Sequence, residues 1–524
     1  MKKEVTAETL AEQQREISIS EFFLKNKHLL GFDNPRKALL TTIKEAVDNS
    51  LDACEEARIL PEIKIEANDM TNDRFEVIVE DNGPGIVKEQ MPRIFGKLLY
   101  GSKFHRLKCS RGQQGIGISA AAMYGQLTTG NPIKIVSRTS KNKPAHYYEL
   151  HIDTKQNEPQ IIKEDTIDWD KEHGTKINII LEAKYQKGKQ GIDEYLEQTA
   201  IVNPHLHLIY KNPEKEVLEF PRATNELPKE PKEIKPHPYG VELGILIKML
   251  QDTEASTLQS FLQNEFCRVS AKVAKEICDK AGLYEKSRPS RIAKQEAENL
   301  FNSIKKVKII APPTDSVTPI GEELILKGLK KEIEADFYAA TTRPPSVYRG
   351  NPFIIEAGIA YGGSIPKEDI TRVLRFANRV PLQYQQSACA ITKSIISTSW
   401  RGYGISQSKG SIPQGPLVIL VHIASVWVPF TSESKESIAH YPEIVKEIKL
   451  ALQEVGRKLG THIRKNVRAN EQKERASLFE RYIPELASSL SKLTGNKKEK
   501  IEEDLLKILK KGIPEIEENG QIKE

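Results

Sequence analysis

The sequence predicts a multidomain fold of the α+β class, and three observations support this. The chain of 524 residues is too long for one compact core and suggests three or four domains. Strand and helix patterns alternate up to about residue 230 and again between about residues 307 and 440. A helical stretch separates these two parts, and a long amphipathic helix follows them. We therefore expect successive regions of different secondary structure.

The predicted regions are an N-terminal arm (1–30), a strand-and-helix domain (31–230), a helical domain (231–306), a β-rich domain (307–475) and a charged tail (476–524). A proline-rich link, FPRATNELPKEPKEIKPHP, separates the first two domains. Apolar residues at helical spacing mark the helical domain, and its third helix is predicted to run from about Ser270 to Ala281 and to end at Gly282. The first two helices carry the apolar residues Leu243, Leu246, Ile247, Leu250, Leu258, Phe261 and Leu262.

The β-rich domain contains the segments PFIIEAGIAYGGSIP, VLRFANRVPL and LVILVHIASVWVPF. The last of these, Leu417 to Phe430, is too short to span a bilayer and carries a histidine and a proline, so it predicts a buried strand. Beyond Pro442, apolar residues recur every three or four positions, which predicts one long helix. They are Ile444, Ile448, Leu452, Val455, Leu459 and Ile463.

Composition restricts the function less than the motifs do. Lys and Arg number 78 against 72 Asp and Glu, and the resulting net charge of +6 fits either a nucleic-acid partner or an ordinary solvated surface. The five scattered cysteines form no CxxC pair, so neither a disulfide framework nor a zinc site is expected. The polar start, MKKEVTAETLAEQQ, is not a signal peptide. We therefore expect a soluble cytoplasmic protein that does not contact a membrane.

The first motif lies on a helix that contains KEAVDNSLDA, Lys44 to Ala53. Its apolar stripe comprises Leu40, Ile43, Val47, Leu51 and Cys54. Glu45 and Asn49 fall on the opposite face, together with Asp48 and Asp52. Periodicity alone does not separate a catalytic carboxylate from a solvated one.

The second motif is VEDNGPGI, Val79 to Ile86, at the end of an alternating strand pattern. By itself this segment is typical of a turn. The third motif is SRGQQGIGISAAAMY, in which glycines precede a helix of small residues and leave backbone N–H groups free for phosphate oxygens. Its glycine spacing reverses the dinucleotide fingerprint, and no GxxxxGK[S/T] occurs in the chain. A fourth motif, HGT at 173–175, precedes the strand KINII.

In this order the four motifs resemble the Bergerat-fold (GHKL) ATPases, the superfamily of gyrase B, Hsp90, histidine kinases and MutL. The resemblance covers most of residues 40–180 and implies an α/β sandwich that binds ATP and Mg²⁺. It implies that Glu45 is the general base, that Asn49 binds Mg²⁺, and that Asp81 accepts a hydrogen bond from the adenine amino group.

The same resemblance assigns the surrounding residues. Gly83 and Gly85 would leave room for the base, and Thr175 would support the adenine side of the pocket. A lid over the phosphates would be formed by Gly112, Gln113, Gln114, Gly115, Ile116, Gly117, Ile118 and Ser119, and Ser102 and Lys103 would add a hydroxyl and a cation.

The rest of the chain resembles the B subunits of archaeal type IIB topoisomerases, the topoisomerase VI family. Residues 239–306 are similar to a helix-two-turns-helix module, and KPHPYGVE, FIIEAGIAYGGSIP and FANRVPL match the family, the latter two in its ribosomal-S5-like α/β transducer domain. In SESKESIA, Lys435 matches the lysine that reaches from the transducer to the γ-phosphate in this family. Without the resemblance, Lys435 would be an ordinary loop lysine.

The resemblance implies that ATP dimerises the chain, with help from the arm before Gly31, and that a DNA duplex is captured. Hydrolysis would then signal a separate A subunit that cleaves DNA, in a heterotetramer of two A and two B subunits that relaxes and decatenates DNA. The sequence carries no acidic cluster or tyrosine that marks a DNA-cleaving centre. Four basic residues of the helical domain either contact DNA or form a solvated face: Lys272, Lys275, Arg288 and Arg291.

Two other functions are compatible with the ATPase motifs. A MutL-like repair ATPase would share the pocket but lack the helical insertion and would end in a dimerisation domain. An Hsp90-like chaperone would bind unfolded clients and need no A subunit.

Overall fold

The structure is a computed structural model that describes residues 10–11, 17–18, 21–22, 25–101, 106–112, 115–188, 190–432 and 434–512. Its first part is built on a mixed eight-stranded sheet in the order β5-β4-β3-β6-β2-β1-β7-β8. The strands are β1 (Glu62–Asp69), β2 (Arg74–Asp81), β3 (Ile133–Arg138), β4 (Ala145–Asp153), β5 (Glu158–Ile167), β6 (Gly174–Glu182), β7 (His207–Lys211) and β8 (Val217–Phe220). The alternation predicted for β2 is confirmed, because Phe75, Val77 and Val79 are buried.

Among the described residues, the α-helices that pack with this sheet are α1 (Pro35–Glu56), α2 (Met91–Gly96), α3 (Gly117–Thr129) and α4 (Ile192–Val202). Helix α1 begins after Asn34, whose side chain accepts a hydrogen bond from the N–H of Lys37 at 3.0 Å. The predicted apolar stripe of α1 is entirely buried. Asp48 and Asp52, on the opposite face, are also buried, so they are not solvated carboxylates. The polar face of α1 is therefore only partly covered, since Asp48 and Asp52 are buried whereas Asn49 is exposed.

Residues 243–306 form a helical unit with its own core, made of α5 (Leu243–Asp252), α6 (Leu258–Glu265), α7 (Ala271–Ala281) and α8 (Lys294–Lys306). The predicted third helix is confirmed: Ser270 caps it, and Gly282 ends it at a φ of +68°. Five residues of the two predicted apolar stripes are buried: Leu246, Leu250, Leu258, Phe261 and Leu262.

The third part contains a six-stranded sheet in the order β10-β11-β14-β12-β13, with β9 also paired to β11. Its strands are β9 (Phe337–Thr342), β10 (Ser346–Tyr348), β11 (Asn351–Tyr361), β12 (Arg372–Ala377), β13 (Val380–Pro381) and β14 (Leu417–Ser425), and its shorter helices are α9 (Glu322–Glu332) and α10 (Ala390–Ser397). Every residue of β14 is buried, which confirms the predicted buried strand.

The predicted long helix is confirmed as α11 (Pro442–Thr494), and α12 (Lys498–Gly512) follows it. Helix α11 does not end near residue 475: it passes Pro484 and stops at Gly495, whose positive φ caps it. Much of the predicted charged tail is therefore helical, while the domain boundaries themselves stay predictions. None of the described helices combines the length and the hydropathy that a bilayer crossing needs.

The two sheets are joined through α4 and α9. Ile201 and Val202 of α4 share one apolar core with Ile325 and Leu329 of α9. Beside this core, the guanidinium of Arg372 binds both carboxylate oxygens of Glu197 at 3.0 Å. This packing brings two loops of the third part, at 378–379 and 434–436, against α1 and the start of the glycine-rich segment.

Candidate active site

The main cavity of the described residues has a volume of about 590 Å³, within the usual range for small-molecule sites. It lies between α1, the end of β2, the start of α3 and the loop at 434–436. Most of the predicted site residues line it: Glu45, Asn49, Asp81, Gly85, Gly112, Gly115, Ile116, Gly117, Ile118, Ser119, Thr175 and Lys435. Ser102, Lys103, Gln113 and Gln114 lie outside the described residues.

One end of the cavity, which we call the Asp81 end, is formed by Asp81, Ser50 and Thr175. The Asp81 carboxylate accepts hydrogen bonds from the Ser50 hydroxyl at 2.7 Å and from the N–H groups of Gly83 and Thr175 at 2.9 and 3.1 Å. A carboxylate has about four acceptor positions, so one remains for a ligand. Burial raises the pKa of Asp81, and these three donors oppose that rise.

The two glycines after Asp81 have different roles. Gly83 does not line the cavity; its N–H holds the Asp81 carboxylate. Gly85 lines the cavity at a φ of +71°, and a Cβ there would lie 2.0 Å from the carbonyl oxygen of Arg138. The glycine at 85 is therefore required by the protein's own backbone packing, in addition to any room that it leaves for a ligand.

The opposite end, which we call the Glu45 end, holds Glu45, Lys44 and Lys435. The Lys44 ammonium lies 3.4 Å from the Glu45 carboxylate. Burial alone would raise the pKa of Glu45, but Lys44 and Lys435 outweigh it and lower the pKa below its ordinary value. Burial lowers the pKa of Lys435, and Glu45 only partly opposes this. Glu45 is thus an ionised carboxylate at neutral pH, flanked by two amines.

The start of α3 also closes the Glu45 end. A Cβ built on Gly117 would lie 1.8 Å from Oε2 of Glu45, so any larger residue here would displace this carboxylate from its observed position. Gly117 is the first residue of α3, and the amide groups of a helix's first turn have no partner within the helix. The cavity therefore presents a carboxylate and a positive helix end side by side.

Lys435 reaches the cavity from the third part of the chain. Its backbone is left-handed, with a φ of +53°, and its ammonium donates to the carbonyl oxygen of Arg111 at 3.3 Å. The next residue, Glu436, forms an ion pair of 3.2 Å with Lys37 of α1. This pair fixes the loop beside the cavity, so the position of Lys435 depends on how the two sheets are arranged.

Asn49 is exposed to the cavity and presents an amide oxygen one helical turn after Glu45. The described residues contain no group of three or more His, Cys, Asp or Glu side chains that could hold a metal ion. A single amide oxygen beside phosphate oxygens suits Mg²⁺, which keeps several waters and takes few protein ligands. The donor set therefore fits Mg²⁺ bound together with a phosphate ligand.

The sequence motifs assign no role to three residues that contribute to the site: Lys44, Ser50 and Arg111. Lys44 lies in the helical motif but has no predicted role there, and no sequence pattern marks Ser50 as a partner of Asp81. Arg111 is buried and binds Asp52 and Glu55 of α1 at 2.7 to 3.0 Å. Asp52, expected to be either catalytic or solvated, is instead the structural partner of this arginine. In the sequence, this contact shows only as two acidic residues on α1 and an arginine before the glycines. Such a combination is too common to predict the contact.

Comparison with known proteins places this site in a family. Residues 34–183 match the family of histidine kinase-, DNA gyrase B- and HSP90-like ATPases, and residues 312–475 match the transducer of the topoisomerase VI B subunit.

Three relatives agree, each of them the B subunit of a type 2 DNA topoisomerase 6. The protein from Methanococcoides burtonii is 52% identical over 93% of this chain and 78% of its own length. The one from Archaeoglobus fulgidus is 47% identical over 92% and 80%, respectively. The one from Pyrococcus furiosus is 39% identical over 96% and 97%. Both the ATPase motifs and the transducer thus lead to one conclusion: the chain belongs to the family of type 2 DNA topoisomerase 6 B subunits.

Proposed function

We propose that the cavity binds ATP with its adenine at the Asp81 end and its phosphates at the Glu45 end, and that the chain hydrolyses ATP to drive DNA strand passage. The observation that carries the proposal is that Asp81, Asn49, Glu45 and Lys435 line one cavity although they come from distant parts of the chain. The histidine kinase-, gyrase B- and HSP90-like match supports ATP as the ligand.

The Asp81 end suits adenine because protein donors occupy all but one of the acceptor positions of the Asp81 carboxylate. Asp81 accepts the hydrogen bond from the adenine amino group, and the Thr175 hydroxyl, 3.0 Å from the Ser137 hydroxyl, supports the same side. A guanine would present an oxygen where adenine presents an amino group, and two acceptors would then face each other.

At the Glu45 end, the carboxylate accepts a proton from the attacking water and orients it toward the γ-phosphate. Lys44 and Lys435 stabilise the charge of the transferring phosphoryl group, and the N–H groups at the start of α3 bind phosphate oxygens. Residues 112–119 are assigned as the lid over the phosphates. Of the described residues in this segment, Ser119 is buried and lines the cavity.

Mg²⁺ would be held by the Asn49 amide oxygen together with phosphate oxygens. When bound, it would offset the negative charge of the phosphates. Asn49 lies one helical turn after Glu45 on the same face of α1, so the proposed metal ligand and the proposed base face the same cavity.

The domain roles follow from this assignment. Residues 31–230 form the ATPase domain, 231–306 the helix-two-turns-helix domain and 307–475 the transducer, with the arm before 31 and the tail after 475 outside them. ATP binding dimerises the chain, and the loss of the γ-phosphate releases Lys435 and lets the transducer move. The transducer then signals a topoisomerase VI A subunit, which cleaves the DNA, within an A₂B₂ heterotetramer.

The helical domain is proposed to contact the captured duplex. Lys272, Lys275, Arg288 and Arg291 are all exposed, as a phosphate-binding surface requires. Duplex binding by the full chain should weaken steeply with salt, and replacing all four residues by Ser should reduce that slope. An unchanged slope would identify them as a solvated face.

The proposed function is tested by relaxation and decatenation assays with the chain alone and with an A subunit of the same family. Activity that needs ATP and both subunits is the expected result. The molar mass of the chain should double with a non-hydrolysable ATP analogue. A chain that stays monomeric with the analogue, or that relaxes DNA without an A subunit, would contradict the proposal.

A further inference from the structure

The segment FANRVPL contains a turn that the proposed ATPase cycle does not use. Asn378 and Arg379 connect β12 to β13, where Ala377 pairs with Val380. Their φ values of +47° and +65° are those of a two-residue hairpin turn of type I′. Asparagine tolerates this conformation, but arginine is uncommon there. The surrounding contacts must therefore hold Arg379 in place.

Asn378 connects the sheet to the start of the glycine-rich segment. Its amide NH₂ donates to the carbonyl oxygens of Ser110 and Ser425, both at 2.9 Å, and its amide oxygen accepts from the N–H of Ser425 at 2.9 Å. Ser425 is the last residue of β14. Asn378 thus links Ser110 by hydrogen bonds to the end of a fully buried strand.

Arg379 makes a second set of contacts across the same boundary. Its guanidinium donates to the carbonyl oxygen of Pro319 at 3.0 Å and lies 4.0 Å from the Glu55 carboxylate of α1. Its own carbonyl oxygen accepts from the amide of Asn203 at 3.4 Å. The side chain is almost fully buried, so these contacts are shielded from water.

On the other side, Arg111 joins these groups to the glycine-rich segment. Its guanidinium binds Glu55 at 2.7 and 2.9 Å and the amide oxygen of Asn203 at 2.6 Å. The following residue, Gly112, donates its N–H to Asp52 at 3.3 Å. Glu55 and Asn203 are therefore shared between Arg111, at the start of the segment, and Arg379, in the turn.

Inside the second sheet the contacts continue through His422. The N–H of Arg379 donates to Nε2 of His422 at 3.0 Å, which requires that nitrogen to be unprotonated. Nδ1 then carries the proton and donates to Glu356 at 2.8 Å. Glu356 in turn accepts the N–H groups of Ile320 and Gly321, just before α9, both at 2.7 Å. The turn is thus connected to the helix that packs against α4.

We propose that Asn378 and Arg379 are positioning residues that couple the glycine-rich segment to the transducer, in parallel with Lys435. Lys435 contacts the carbonyl of Arg111, whereas the turn contacts Ser110 and the side-chain partners of Arg111. The inference rests on the proposed function, since it assumes that residues 110–112 move when ATP binds. The turn would provide a second connection, which remains after hydrolysis when Lys435 no longer contacts a γ-phosphate.

The test compares Arg379→Gln and Asn378→Gly with Arg349→Gln in the full chain. Glycine preserves the positive φ at 378 while removing the amide. Arg349 is the matched control, because it sits at a φ of +44° in the β10–β11 turn of the same sheet but is exposed. We expect the kcat for ATP to fall about tenfold in the two test variants, and the Kd of a non-hydrolysable analogue to change less than about threefold. The control should behave as wild type.

A second measurement starts from the wild-type chain, so its first result does not depend on how well a variant folds. Amide hydrogen exchange of residues 377–380 in the wild-type chain should change when the analogue binds, and part of that change should persist in Lys435→Ala. The double variant Lys435→Ala/Arg379→Gln should turn over ATP more slowly than Lys435→Ala alone.

Several results would overturn the inference: unchanged kcat in both test variants, an effect confined to Kd, equal effects in the control, or amide exchange at 377–380 that is the same with and without the analogue. Wild-type turnover in the same assay distinguishes failure of the coupling from failure of the proposed function. If wild type does not hydrolyse ATP, the proposed function fails and the coupling falls with it. If wild type hydrolyses ATP and the turn variants match it, only the coupling fails.

Discussion

The two ends of the cavity are built in different ways. At the Asp81 end, the carboxylate is fixed by three hydrogen bonds, which come from Ser50 of α1, Thr175 of β6 and Gly83 in the loop after β2. At the Glu45 end, α1 supplies Glu45 and Lys44, but Lys435 comes from a loop of the second sheet. The first end is complete within one domain, whereas the second is completed only when two domains lie in one particular arrangement. In the proposed function, recognition of the base is therefore expected to be separable from hydrolysis.

Because of this difference, we expect mutations at the two ends to change different measured quantities. Changes at the Asp81 end should alter nucleotide affinity and selectivity, because its geometry does not depend on the transducer. Changes at the Glu45 end should alter turnover, because in the proposed function its charges act on the phosphoryl group as it is transferred. Three variants test whether the two ends are separate in this way, and a fourth tests a buried carboxylate of α1 outside the cavity lining.

The greatest loss is expected for Glu45→Ala, which removes the proposed base. Turnover should fall by about 10²- to 10⁴-fold while nucleotide binding persists, since a general base contributes that much. Glu182→Gln, at an exposed position at the end of β6, is the control. Near wild-type turnover of Glu45→Ala in a steady-state ATPase assay would show that another group activates the water.

The next loss is expected for Lys435→Ala, which removes a cation donated by the second domain. Turnover should fall about 10²- to 10³-fold, the usual loss when one stabilising donor of a transition state is removed. The exposed Lys409→Ala, in another loop of the same domain, should not change turnover. Equal losses in affinity and turnover would mean that Lys435 only binds the nucleotide.

A weaker effect is expected at the Asp81 end. Asp81→Asn places an amide NH₂ among donors, so ATP should bind about 10- to 100-fold more weakly. The preference for ATP over GTP should narrow, because the acceptor that selects the amino group is lost. Competition of both nucleotides against a fluorescent ATP analogue measures this preference. An unchanged preference would remove Asp81 from base recognition.

The weakest effect concerns pH and stability. Burial raises the pKa of Asp48 to about 6, although the positive charges of Lys44 and Arg111 oppose this rise. A raised pKa means that the folded chain holds this proton more tightly than the unfolded chain does, so stability is lost as pH rises through about 4 to 6. Asp48→Asn should therefore raise the melting temperature by about 2–4 °C at pH 7.5. The gain should shrink toward pH 5; a gain independent of pH would contradict the raised pKa.

The sequence was most informative where a pattern has one physical cause. The alternation in β2, the apolar face of α11 and the cap at Gly282 each follow from periodicity or from a single favoured conformation, and each was predicted correctly. The extension of α11 beyond residue 475 was missed because the polar composition there hides the helical period.

The site was predicted less evenly. Motif order brought together residues as distant as Glu45 and Thr175, and the family resemblance alone pointed to Lys435. Ser50, Arg111 and Arg379 could not be found in this way, because their importance comes from contacts with residues far away in the sequence. A serine or an arginine carries no local pattern that tells which carboxylate it will meet once the chain has folded.

The separation between the two ends can be measured in one crossed experiment, which determines Kd and kcat for Asp81→Asn and Lys435→Ala with the same ATP preparation and the full chain. We predict that Asp81→Asn weakens binding by at least about tenfold with kcat within about threefold of wild type, and that Lys435→Ala shows the reverse. If both variants changed the same quantity to the same extent, the two ends would form one unit, and base recognition could not be separated from hydrolysis.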